Sequence, residues 1–270
     1  MSVINTNVSA LSAQNALRTN ARSMSNNMEQ LSTGSRVNSA KDDAAGLAIG
    51  QSMTSQIRGL NMAVRNINDG VNMMQTAEGA MIEQSNMLQR MRELAVQASN
   101  GTVSDTQRSY LNTEFQALTS QIGSIATQTT WNGTDLMSAT STFSFQAGAS
   151  SGQTISVIIT EMSTSSLGIS TASITSAAIA ATTIATLDTA LNSINSQRAT
   201  IGAGINRMTY SADNMSNIAA NTTASRSTIM DTDYATASTN LAKNQIIQQA
   251  ATAMLAQANQ QPQSVLSLLK

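Results

Sequence analysis

The 270-residue chain has no cysteine, no histidine and a single proline, and it is poor in rings and charge, with 3% aromatic and 11% charged residues. Without cysteine or histidine there is no disulfide framework, no thiol nucleophile, no imidazole base and no nitrogen or sulfur ligand set for zinc. Catalysis is therefore not expected, and no cofactor or metal is predicted. A net charge of -1 gives no electrostatic footprint for nucleic acid or an anionic membrane surface. No segment approaches the roughly 18 apolar residues of a membrane span. The stretch Met1 to Ser12 has neither the basic opening nor the apolar run of a secretory signal peptide. On these grounds alone the chain is expected in the cytoplasm unless export takes another route.

Periodic apolar stripes are what the chain does have. From about Ala44 to Ser99, Met53, Ile57, Leu60, Val64, Ile67, Val71 and Met74 alternate at spacings of four and three, and Met81, Leu88 and Ala95 extend the seam. That pattern predicts one helix of heptad character, roughly 50 residues and about 80 Å long, which must bury its stripe on other helices. A second rod follows Ile184, Leu187, Leu191, Ile194, Ile201, Ile205, Met208, Ala212, Met215 and Ala219 to Ile229. Between the rods, Asp105 opens a shorter helix through Leu111, Phe115, Leu118, Ile122 and Ile125, predicted to fold back antiparallel on the first rod.

The connections are marked by turn chemistry. Gly34 breaks a first amphipathic helix over Met1 to Leu31, and Ser39 with Asp42 predicts a capping-box-like start to the long rod, with Asp42 and Asp43 at its positive end. Asn100-Gly101 stops that rod, and Trp131-Asn132-Gly133 closes the short helix with a turn. Phe143 to Gln146 and Thr154 to Ile159, split by Gly148 and Gly152, predict a β-hairpin. The Ser/Thr/Ala/Ile tract from Ser163 to Thr186 is undecided between loop and short helix. After Asp231-Thr-Asp233 a last helix runs from Tyr234 to Gln261 with Leu241, Ile247, Ala251, Met254 and Ala258, and Pro262 is predicted to end or kink it.

The fold class is thus mainly α: a long antiparallel coiled-coil helical bundle formed by the N- and C-terminal segments, with a small β-hairpin region in the middle. The expected domains are 1–42 with 233–270, a terminal coiled coil, and 43–232, a helical rod carrying a β-rich or loop region at 131–183. No charge precedes Arg18, and Lys243 and Lys270 are the only charges after Asp233. One seam between such uncharged helices is too little burial for either, so further neighbours must supply the rest.

Motifs for chemistry are weak. Gly202-Ala-Gly204-Ile-Asn-Arg207 is half a dinucleotide fingerprint with no strand before it. Asp231-Thr-Asp233 begins like a calcium loop but lacks the later glycine and glutamate, so a helix boundary is the stronger reading. Asn100-Gly-Thr102 and Asn132-Gly-Thr134 match the glycosylation sequon by chance.

Three long stretches carry a family resemblance. Leu31-Ser-Thr-Gly-Ser-Arg-Val-Asn-Ser-Ala-Lys-Asp-Asp-Ala-Ala-Gly-Leu-Ala-Ile49 resembles the N-terminal signature of bacterial flagellins. Leu88-Gln-Arg-Met-Arg-Glu-Leu-Ala-Val-Gln-Ala98 and Ala253-Met-Leu-Ala-Gln-Ala-Asn-Gln-Gln-Pro-Gln-Ser-Val-Leu-Ser-Leu-Leu269 resemble further parts of the same family, in a short form without large outer domains. The resemblance implies a structural subunit of the flagellar filament, exported through the flagellar type III apparatus without a cleaved signal peptide and found outside the cell. A hook-filament junction protein and a cytoplasmic coiled-coil scaffold are the alternatives. Implied partners are the chain itself in a helical homopolymer, sister flagellins, hook-associated and cap proteins, and an export chaperone at the C-terminal helix. Arg90, Leu94 and Glu114 match positions by which animal hosts sense flagellins. Leu11, Leu17, Ile247, Met254, Leu266, Leu268 and Leu269 are assigned to the inner assembly layer. The Ser/Thr-dense tract Ser138 to Ser176 is expected to carry O-linked acidic sugars.

Overall fold

The computed structural model describes residues 6–267, and their side chains as far as 260. In chain order its elements are α1 (Val8–Thr33), α2 (Ala44–Ser99), α3 (Asp105–Gln128), β1 (Thr130–Trp131), β2 (Thr134–Asp135), β3 (Ser141–Gln146), β4 (Thr154–Ile159), α4 (Ala177–Met230) and α5 (Tyr234–Ser267). They form two compact units, one of Gln56–Ala219 and one of Met1–Ser55 with Ala220–Lys270. This is the mainly helical, antiparallel coiled-coil architecture that the stripes predict, with the expected hairpin at β3–β4 and a second, shorter strand pair β1–β2.

Within the unit Gln56–Ala219, the seam residues of α2 form the core: Leu60, Ile67, Met74, Met81, Leu88 and Ala95 are buried. They meet Phe115 and Ile122 from α3 and Leu187, Ile194, Ile201 and Met208 from α4. The helices begin where capping is available. Ser104 accepts from the Gln107 backbone N–H and the Gln107 side chain accepts from the Ser104 N–H, a complete capping box for α3. The turn Asn132-Gly133 has φ of 48° and 77°, which suits asparagine and glycine in a two-residue hairpin loop between β1 and β2.

The undecided tract resolves into two parts. Residues 163–176 are irregular and yet place Leu167, Ile169 and Ile174 in the core. Side-chain amides take the place of a sheet partner there. Buried Gln84 donates to the carbonyls of Ile122 and Met162 (3.2 and 3.1 Å), and Gln197 donates to Ile158 O (2.8 Å) while accepting from Thr160. Asn112 Oδ1 accepts from Ile174 N (3.0 Å). From Ala177 the chain is already helical, so α4 begins seven residues before Ile184.

The hairpin β3–β4 pairs Ser141 with Ile159 through Gln146 with Thr154. It sits on helices notched by glycine. A Cβ built at Gly70 would lie 2.9 Å from the Phe145 ring, one at Gly59 2.9 Å from Ala149 Cβ, and one at Gly204 2.9 Å from Val157 Cγ2. These glycines let the hairpin approach the helix backbones closely.

In the other unit, α1 runs antiparallel to α5. Asn7 Nδ2 donates to Ala258 O and Asn20 Nδ2 to Asn244 O, each at 2.8 Å. Asn20 is buried, and two such directed bonds on a weakly amphipathic pair fix its register. Gly34 ends α1 at φ 72°, where any Cβ would also meet the Tyr234 hydroxyl at 3.0 Å. Beside it, Arg36 N donates to Met230 O (2.6 Å) and Thr232 N to Gly34 O (3.0 Å), tying the α1–α2 turn to the α4–α5 turn. Two expectations are corrected here. Asp43, not Ser39, caps α2, with its Oδ1 accepting from Gly46 N (2.8 Å), while Asp42 closes the preceding turn on Ser39. And of the end or kink predicted at Pro262, the end is not found, since α5 continues to Ser267.

The glycine notches give a paired stability test. Gly70→Ala and Gly204→Ala overpack a contact at a cost of about 1–3 kcal/mol, offset by about 1 kcal/mol of helix propensity. Gly79→Ala and Gly202→Ala, with nothing within 4 Å, gain the propensity alone. Urea unfolding should lower the midpoint for the first pair and raise it for the second.

Candidate functional site

Two kinds of surface stand out, an ion-pair cluster on α2 and α3 and the apolar flanks of α1 and α5. Arg90 Nε donates to Glu114 Oε1 (2.9 Å) and its Nη1 to Glu93 Oε2 (3.0 Å). The Glu114 and Glu93 bonds raise the Arg90 pKa, and a guanidinium between two carboxylates stays charged at any accessible pH. Arg92 pairs with Asp188 of α4 (2.7 Å). The structure thus brings Arg90 and Glu114 together, each half exposed. Leu94, one turn on, is 1% exposed and belongs to the core.

On the terminal pair, Leu11 is 56% exposed and Met254 66%, Ile247 is exposed and Leu17 half-buried. Val8 and Ile246 add to the exposed apolar surface. Leu268 and Leu269 lie outside the described residues, as does the side chain of Leu266. Only Arg18, Arg22 and Glu29 on α1 and Lys243 on α5 carry charge within these helices. Among the described residues α1 and α5 pack on each other and leave these apolar side chains exposed to water.

A groove of about 510 Å³ lies between α4 and residues 160–167, lined among others by Glu161, Ser166, Asn192, Ser193 and Gln197. Its one carboxylate accepts from Ser163. Among the described residues no three His, Cys, Asp or Glu side chains cluster to hold a metal, and no helix is long and apolar enough to cross a membrane. Gly204 lies inside α4 against the hairpin, and Asp233 caps α5 by accepting from Ala235 N (2.9 Å) and from Thr236. Sequence reasoning missed Gln84, Gln197 and Asn20. The available signal for Gln84 was its place on a line of small or apolar residues seven apart, Ala63, Gly70, Ala77, Met91 and Ala98, all buried.

Such a molecule belongs to the class of mainly helical, antiparallel coiled-coil proteins. Residues 4–142 match the family model described as the bacterial flagellin N-terminal helical region, and residues 184–269 match the C-terminal helical region. The chain belongs to the bacterial flagellin family. It is 42% identical to a flagellin of Bacillus subtilis over 99% of both chains. It is 40% identical to the flagellar filament 33 kDa core protein of Treponema phagedenis, over 99% of this chain and all of that one. The crystal structure of Bacillus cereus flagellin superposes with a TM-score of 0.51 and 32% identity, covering 56% of this chain and 88% of that one.

The cap of α5 carries a pH signature. Hydrogen bonds from Thr236 and Ala235 hold the Asp233 carboxyl below the usual aspartate range. A lowered carboxyl pKa in the folded state stabilises fully above the unfolded value and is lost as pH falls through the folded one. Helicity at the start of α5 should therefore persist at mildly acidic pH and fall only below the usual aspartate range. Asp233→Asn keeps a capping oxygen without the charge, and circular dichroism should show that this part of the acid transition has gone.

Proposed function

We propose that this chain is the structural subunit that self-assembles into the bacterial flagellar filament used for swimming, outside the cell. The observation that carries the reading is the α1–α5 pair, which leaves Leu11, Ile246 and Met254 in water. Membership of the flagellin family supports a flagellar filament as the polymer. Residues 1–42 with 233–270 form the inner terminal coiled coil, with Leu11, Leu17, Ile247, Met254, Leu266, Leu268 and Leu269 in its packing, and 43–232 the rod layer around it. Neighbouring copies supply the burial that one seam cannot. An open polymer needs heterologous contacts, so opposite faces of each subunit meet different neighbours.

Export proceeds through the flagellar type III apparatus without a cleaved signal peptide, with a chaperone on the C-terminal helix. Hook-associated and cap proteins bound the polymer at its ends. Host recognition of the monomer uses the face bearing Arg90 and Glu114, with Leu94 supporting it from beneath. An O-linked acidic sugar on the tract Ser138 to Ser176 supplies charge that its side chains lack.

Leu11→Asp and Met254→Asp place an unpaired carboxylate where subunits pack, at about 3–5 kcal/mol each. Seeded polymerisation followed by electron microscopy should show no filament growth from either variant while the monomer keeps its helicity. Normal filaments from both would sink the reading. For the receptor face, Arg90→Ala and Glu114→Ala monomers should lose signal in a flagellin-receptor reporter assay, and signalling equal to the parent would place recognition elsewhere.

A further inference from the structure

Most arginines of the unit Gln56–Ala219 are paired inside the chain. Arg90, Arg92, Arg108 and Arg198 each meet a carboxylate. Arg58, Arg65 and Arg207 form no ion pair among the described residues, and neither do Asp69 and Asp213. All five are exposed, and they gather at one end of the unit. Continuing the antiparallel register of Arg92–Asp188 (2.7 Å) and Glu78–Arg198 (3.6 Å) brings Arg65 about level with Asp213, and Asp69 with Arg207.

These charges do not face each other within the chain. At about 100° per residue, Arg58 and Arg65 lie on the side of α2 opposite the buried Leu60, Ala63 and Ile67. Tyr210, 75% exposed, lies opposite the buried Gly204 and Met208 of α4, with Arg207 and Asp213 three residues to either side. One flank therefore reads basic then acidic along α2, with exposed Met62 beside it. The other, read backwards along α4, is acidic, aromatic, then basic.

Those two orders are complementary when two copies point the same way, because α2 of one then runs antiparallel to α4 of the next. The axial spacings also agree to within one arginine side chain: four residues from Arg65 to Asp69 is about 6 Å, and six from Arg207 to Asp213 about 9 Å. Exposed arginine, tyrosine and methionine are also the residue types enriched in protein interfaces.

We propose that the α2 flank of one copy docks through Arg65 and Asp69 on the α4 flank of a second copy, through Asp213 and Arg207 respectively, with both copies pointing the same way. Tyr210 lies between the two ion pairs, where its ring can take the Arg65 guanidinium on its face. The contact is heterologous, the kind that can repeat from copy to copy in an open polymer. This inference rests on the polymer reading above and names the side-chain partners of one lateral contact.

Charge exchange between chains tests it. Arg65→Glu alone sets a second carboxylate against Asp213, and Asp213→Arg alone sets two guanidinium groups together, so each variant should elongate about tenfold more slowly from parent seeds. In a heterologous contact, an equimolar mixture of the two offers a reversed pair at one contact and the native pair at the next. The mixture should recover the parent rate. Rescue only when both substitutions are in one chain would place the pair inside the subunit and overturn the proposal, as would normal growth of either single variant. If the parent chain itself fails to grow from seeds, the polymer reading falls, and this contact with it. Circular dichroism of each variant monomer separates slow growth from misfolding.

Discussion

Everything in this chain depends on covering one side of two very long helices. A helix of 56 or 54 residues stabilised by its own hydrogen bonds alone is marginal, because propensity contributes little per residue and each residue costs backbone entropy to order. The heptad stripe converts that length into burial, since every turn adds another side chain to the same seam. With few rings to fill space, the seam is built from methionine, leucine, isoleucine and alanine, which let helices lie close over their whole length.

Close approach has two further consequences. It leaves the small hairpin no room except over glycine, which is why Gly59, Gly70 and Gly204 lie under Ala149, Phe145 and Val157. It also leaves the irregular segment 163–176 with backbone groups that no strand satisfies, and Gln84, Gln197 and Asn112 reach across to partner the backbone in and just before it. In the terminal pair the same logic operates with fewer resources. Asn7 and Asn20 fix which residues meet, and the apolar flanks are left for other chains.

The long rods were legible because heptad spacing survives over seven or more turns, so local ambiguity averages out. The hairpin was legible from two apolar runs between glycines. What escaped were features set by tertiary position. Nothing near Asp43 marks it above Ser39 as the cap of α2, because the choice depends on which backbone N–H groups the preceding turn leaves free. Pro262 ends or kinks a helix on local grounds, yet α5 continues past it to Ser267. The first turns of α4 lack a charged side and so look like loop. Of the candidate surface, Arg90 and Glu114 did come together, but Leu94 belongs to the core beside the second buried line on α2, between Met91 and Ala98, which a single-seam reading does not contain.

Each ion pair joins an arginine to a carboxylate, and the chain has no imidazole or thiol. The chain therefore lacks the two side-chain types whose unperturbed pKa values lie nearest neutrality. Its side-chain charge comes from arginine, lysine, aspartate and glutamate, with no histidine to switch charge near neutral pH. Ionic strength, which shortens the reach of exposed charges, is a variable in its medium to which that charge responds.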